Sequence, residues 1–149
     1  MVNERRKERR IRARLPIRIN RADNPPIYIQ TENISLLGTY VELENELTLG
    51  EKLDITVEIP AYTNNVSLTG DIRCRGDVFR SKLVTGAGLR KVYGLGIFFA
   101  DFYTEQDRNK LSEYIDFLIH KEQQDVKQAM LRWRKKRRKR SAQKRISGD

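Results

Sequence analysis

The chain has 149 residues and a formal net charge of +10, which leaves room for one modest core and too little chain for two. Its single cysteine, Cys74, excludes an internal disulfide, and one cysteine with one histidine, His120, excludes a structural zinc site. No apolar run approaches the roughly 18–20 residues of a membrane helix, and the charged N-terminus lacks the apolar stretch of a secretory signal, so a soluble, cytoplasmic protein in a reducing setting is expected.

The charge is unevenly placed. Residues 1–14 hold seven Lys/Arg against Glu4 and Glu8, net +5. Residues 131–149 hold ten against Asp149, net +9, while 15–130 hold 13 basic and 17 acidic residues, net −4. A mildly acidic body therefore lies between two basic ends, and any affinity for polyanions resides in those ends.

The first 14 residues, rich in arginine and poor in apolar side chains, read as an arm outside the core. From Leu15 the texture changes to short β-branched or aromatic runs: LPIRI, PIYIQT, TYVEL, EKLDITVEI, VSLTGDIRCR and VYGLGIFFA. Each alternates in part, as in Ile17/Ile19, Ile27/Ile29, Tyr40 or Val41 with Leu43, and Leu53/Ile55/Val57/Ile59. Turn residues separate the runs at Asp23–Pro26, Leu49-Gly50, Asn64-Asn65 and around Gly86 and Gly88. Six such strands at near-regular spacing predict a mainly β fold, a six-stranded antiparallel barrel or sandwich whose closure hides strand edges.

After Ala100 the period becomes helical. Thr104 is placed to cap a helix whose first turn holds Glu105, Gln106 and Asp107, where carboxylates favour the dipole. Leu111, Ile115, Leu118 and Ile119 recur on one face and predict a helix packed on the barrel. No Gly or Pro interrupts residues 101–140, so one helix can run on through Val126, Met130 and Trp133, although RWRKKRRKR alone has the composition of a disordered tail. The expected organisation is an arm over 1–14, a barrel with its helix over 15–120, and a helical extension with a basic tail over 121–149.

Two polar features stand out. The corner TENISLLGTYVE places Asn33, Ser35 and Gly38 between two strands. Asn33 offers an amide that donates and accepts, Ser35 a short hydroxyl, and Gly38 a backbone that a ligand or a neighbouring strand can approach closely. Asn and Ser are also ordinary turn formers. The arm carries Arg6 and Arg10 four apart, and Arg5/Arg9 and Arg10/Arg14 share that spacing. A guanidinium can stack on a base or pair bidentately with phosphate or the guanine O6/N7 edge. A solvated basic tail is the plainer meaning of the same run.

Taken together, an Arg-x-x-x-Arg arm ahead of the first strand, Asn-x-Ser-x-x-Gly some 20 residues later, an antiparallel barrel, GLGIFFA and a helix opening DFYTEQDRNKLSEYI resemble the PilZ domain family over residues 5–119. The resemblance implies a split-barrel fold and binding of the bacterial second messenger cyclic di-GMP. It implies that Arg6 and Arg10 are the motif arginines, that Arg5 is accessory, and that Asn33, Ser35 and Gly38 form the second motif, with Asn where many members carry Asp. Arg73 or Arg75 could add a guanine contact from the barrel. An arm closing over ligand and relaying a signal to a protein partner follows from the family, with no enzyme activity, no metal and no cofactor. Two alternatives stand beside this: a basic β-barrel that binds nucleic acid, and a PilZ-like adaptor that binds no ligand. The tail, Arg132 to Arg145, admits contact with nucleic acid, contact with an anionic membrane, or a solubilising or partner-docking role.

Overall fold

The computed structural model describes residues 8–60, 70–85 and 90–147, with side chains as far as Ser141. Eight strands, β1 (Ile11–Arg12), β2 (Pro16–Asn20), β3 (Ile27–Gln30), β4 (Asn33–Ile34), β5 (Gly38–Leu43), β6 (Lys52–Ile59), β7 (Gly70–Thr85) and β8 (Val92–Phe102), precede one helix, α1 (Glu105–Ser147). The six long strands are the six that the alternation predicts. The turns expected at Asn64-Asn65 and at Gly86/Gly88 lie outside the described residues.

All strand pairs are antiparallel, in the order β1-β4-β5-β8-β7-β6-β2-β3. Only Thr31 and Glu32 separate β3 from β4, yet the two strands sit near opposite ends of that order. The sheet therefore curls into a closed barrel. Thr31 secures the seam: its amide donates to the Leu15 carbonyl at 2.9 Å, and its buried hydroxyl accepts from the Leu15 amide at 2.9 Å and donates to the Ala13 carbonyl at 2.5 Å. Register shifts in the β7–β8 ladder at Arg75/Gly76, Val78/Arg80 and Leu83/Thr85 bend the longest strand, as closure demands.

Strand alternation explains the core. Ile17, Ile19, Val41, Leu43, Leu53, Ile55, Val57, Ile72, Cys74, Leu95 and Ile97 are all buried, whereas Arg18, Glu42, Asp54, Arg73 and Arg75 face outward. The period-2 pattern settles the β5 choice for Val41 over Tyr40. Ile27 and Ile29 are only half-buried because β3 ends the strand order.

The chain divides into two compact units between residues 116 and 117. In the first, α1 opens with a reciprocal cap. The Thr104 hydroxyl oxygen accepts from the Asp107 amide at 3.1 Å, and an Asp107 carboxylate oxygen accepts from the Thr104 amide at 3.1 Å. Leu111, Tyr114 and Ile115 then bury the helix face, Tyr114 being a core residue that a purely aliphatic stripe overlooks. In the second unit the helix continues through the basic segment to Ser147, where composition alone suggested disorder. No helix among the described residues is long and apolar enough to cross a membrane.

Candidate functional site

The polar corner is built largely by its own hydrogen bonds. Ser35 is buried, and its hydroxyl oxygen accepts from the Leu37 amide at 3.1 Å and the Gly38 amide at 3.3 Å. The Ser35 amide donates to the Gly38 carbonyl at 2.8 Å. The Thr39 hydroxyl donates to the Asn33 carbonyl at 2.6 Å across the β4–β5 pair. Serine fits because its short hydroxyl reaches amides two and three residues on.

Gly38 answers a second requirement. A Cβ at this position would lie 2.1 Å from the Ile97 carbonyl oxygen, at the end of the β5–β8 ladder that adjoins the corner. Of the two approaches that a glycine allows, the one realised is that of the neighbouring strand. The adjoining Phe99 amide donates to the Leu37 carbonyl at 2.7 Å, so β8 also holds the corner from its far side.

Asn33 differs from both. Its side-chain oxygen Oδ1 is buried and has no hydrogen-bond partner among the described residues. An unpaired buried acceptor costs about 1–3 kcal/mol, so an orphan in this corner marks a place where a donor belongs. Next to it in the ladder, Tyr40 pairs with Asn33, and burial followed by the nearby Glu42 carboxylate pushes the Tyr40 phenol up, keeping it neutral.

The two-residue strands β1 and β4 pair with each other, Ile11 opposite Ile34 and Arg12 opposite Asn33. The base of the arm is thus hydrogen-bonded to the corner. Arg10, exposed, immediately precedes this ladder on the side of Ser35. Sequence reasoning did not anticipate the pairing, since two-residue strands carry no alternation signal. Arg5 and Arg6 lie outside the described residues. Arg14, the partner in one alternative spacing, points instead toward Glu32 at 3.8 Å.

Two depressions flank the corner. One of about 360 Å³ is lined by Arg12, Ala13, Arg14 and Glu32. The other, about 460 Å³, includes Glu8 of the arm, Leu36 and Leu37 of the corner, Phe99, Tyr103 and Arg108. Leu37, 46% exposed, fills a variable position of the motif and presents an apolar face there. Arg73 and Arg75 are turned elsewhere: their guanidinium carbons stand 4.7 and 5.5 Å from the Tyr103 ring centroid, and neither lines these two depressions. Tyr103 in turn donates to Asp54. The remaining reactive candidate, Cys74, is fully buried, and burial pushes its thiol up to about 12, so it is inert at neutral pH.

The fold has counterparts among solved structures. The structure is similar to the PilZ domain of YcgR from Escherichia coli with c-di-GMP, at a TM-score of 0.59 and 17% identity over 80% of this chain and 95% of that one. It is similar to K. pneumonia MrkH in its apo state, at 0.65 and 15% identity over 78% of this chain and 52% of that one. It is also similar to the Bacillus subtilis inhibitor of motility MotI/DgrA, at 0.53 and 22% identity over 71% of this chain and 47% of that one. The chain thus spans about half the length of MrkH and of MotI/DgrA, and at these identities the likeness is one of fold. No curated protein is a significant sequence match. The PilZ domain model matches residues 4–117, more than half of the chain, and the protein therefore belongs to the PilZ domain family.

Proposed function

We propose that the protein is a receptor for cyclic di-GMP that works by binding rather than by catalysis. Arg6 and Arg10, with Arg5 beside them, hold phosphates and guanine edges, and the Asn33 side-chain Oδ1 accepts from a guanine N–H. Ser35 and Gly38 contribute by fixing the corner, and Leu37 gives a base an apolar surface. The observation that carries this reading is the orphaned Asn33 Oδ1 beside a strand that delivers Arg10. Family membership and the ligand-bound YcgR domain support the choice of ligand. Fixing each arm residue costs about 1–2 kcal/mol, so several charge-assisted contacts, at about 1.5–3 kcal/mol each, are needed to offset the ordering of the arm. The closed arm, over 1–14, then presents a new surface to a protein partner.

Titration calorimetry tests the site. Arg10→Ala should weaken cyclic di-GMP binding about 10- to 100-fold, and Asn33→Ala about 5-fold, in line with charged and neutral hydrogen bonds. Affinity should fall as salt rises, because Arg10 is exposed. Binding unchanged by both substitutions, or equal binding of cyclic di-AMP and GTP, would overturn the assignment.

A further inference from the structure

The basic end of α1 is not absorbed by the receptor reading. Every residue from His120 to Ser141 is exposed, and the chain has no acidic residue between Asp125 and Asp149. From Arg132 to Arg140, eight of nine residues are Lys or Arg, all within the helix. We propose that this segment is a sequence-independent binding element for duplex DNA.

Charge density carries the argument first. At about 1.5 Å rise per residue, eight cations over nine residues set one positive charge per ~1.7 Å of helix axis, close to the ~1.7 Å per phosphate charge along a DNA duplex. Within the free helix these cations repel. Arg132/Lys136, Arg134/Arg138, Lys135/Lys139 and Lys136/Arg140 stand four apart with no intervening carboxylate, and like charges at that spacing destabilise a helix. The helix dipole offsets part of that cost near its C-terminal end. A polyanion of matching density relieves the rest.

Shape selects among polyanions. The seven consecutive cations Arg134 to Arg140 sweep nearly two turns and leave no apolar face there. An interfacial membrane helix needs an apolar face along its length. The apolar residues Val126, Met130, Leu131 and Trp133 all precede that stretch. A helix charged on all sides instead suits a groove with phosphates on both walls, and the B-DNA major groove, about 12 Å wide, admits a helix about 10–12 Å in diameter. Duplex RNA does not offer such a groove. Between Arg132 and Arg140 no Asn or Gln offers a bidentate adenine contact, and cations on all sides of the helix meet phosphates on both groove walls, so backbone contacts dominate and sequence preference is slight. Trp133, the sole tryptophan, is 59% exposed, with the Arg137 guanidinium 5.2 Å from its ring centroid. It reports directly on this surface.

The test uses the full chain without cyclic di-GMP, so its outcome is independent of the receptor site. Fluorescence anisotropy with unrelated duplexes of about 20 base pairs should give equal affinities that fall about 10³-fold or more from roughly 50 to 200 mM salt. Combining Arg134→Gln, Lys135→Gln, Arg138→Gln and Lys139→Gln should lower the magnitude of the log–log salt slope by about 3–4, with helix content by circular dichroism retained. Unaltered DNA binding in that variant, or no DNA binding by the wild type, overturns the proposal. So does equal binding to duplex RNA. Tighter binding to vesicles of phosphatidylcholine with roughly one-third phosphatidylserine, with a blue shift of Trp133, overturns it in favour of a membrane surface.

Discussion

Replacing Gly38 with alanine tests the structural role of the corner motif apart from the proposed binding. The new methyl would sit 2.1 Å from the Ile97 carbonyl oxygen, whereas real Cβ contacts essentially never fall under 3.0 Å. The obstacle is backbone, so no side-chain rotation relieves it. Strands β5 and β8 must part by about 1 Å, a strain of the kind that costs roughly 1–3 kcal/mol in a packed interior. The same displacement stretches the 2.7 Å bond from the Phe99 amide to the Leu37 carbonyl, exposing a further cost of about 1 kcal/mol. The expected loss is about 2–4 kcal/mol, a large share of the roughly 5–15 kcal/mol of a typical domain. Urea unfolding, followed by near-ultraviolet circular dichroism of the tyrosines, measures it as a lower midpoint at constant m-value. Arg10→Ala, at an exposed position, should shift the same curve by less than about 0.5 kcal/mol. A Gly38→Ala protein as stable as wild type would refute the reasoning, because the ladder would then have room for a side chain.

Two further expectations concern the core and the helix start. Because burial holds the Cys74 thiol near 12, the folded state resists its ionisation while the unfolded chain does not. Stability from this group is therefore complete below the ordinary thiol value and is lost as pH rises toward 12, at up to about 1.4 kcal/mol per pH unit. Urea midpoints from pH 8 to 11 should fall more steeply in wild type than in Cys74→Ala, itself less stable at neutral pH; parallel curves would contradict the buried thiol. Thr104→Ala removes the hydroxyl that accepts from the Asp107 amide and should cost about 0.5–2 kcal/mol by thermal or urea unfolding. Thr104→Ser should restore most of it, and failure of serine to do so would implicate the methyl group instead.

The long strands were legible because their periodicity is a direct imprint of a two-faced sheet. Ile17, Ile55 and Val57 could be assigned to one face from alternation alone. Barrel closure was legible only as a preference, since nothing local in Thr31 announces that its hydroxyl will bind both Leu15 and Ala13 across the seam. At the corner, Asn33, Ser35 and Gly38 were identifiable as a set, but their division of labour was not. Ser35 turns inward to the amides of Leu37 and Gly38, Gly38 yields to the Ile97 carbonyl, and Asn33 keeps an atom with no partner among the described residues. That division depends on which strand lies behind the corner, a long-range fact. For the basic tail the absence of Gly and Pro over 101–140 allowed the continuous helix that is observed, whereas composition alone pointed to disorder.

The short ladder between β1 and β4 has a consequence for how this chain can vary. Strand side chains alternate, so the spacing between Arg10 and Ile11 is a matter of parity as well as length. One residue added there would turn the arginine to the opposite side of the arm, and two would restore its side but displace it by about 6.6 Å along the chain. The pairing of Arg12 with Asn33 thus converts a count of residues into an orientation. Arm and corner behave as a vernier, in which the ladder register sets the side of the arm that Arg10 occupies.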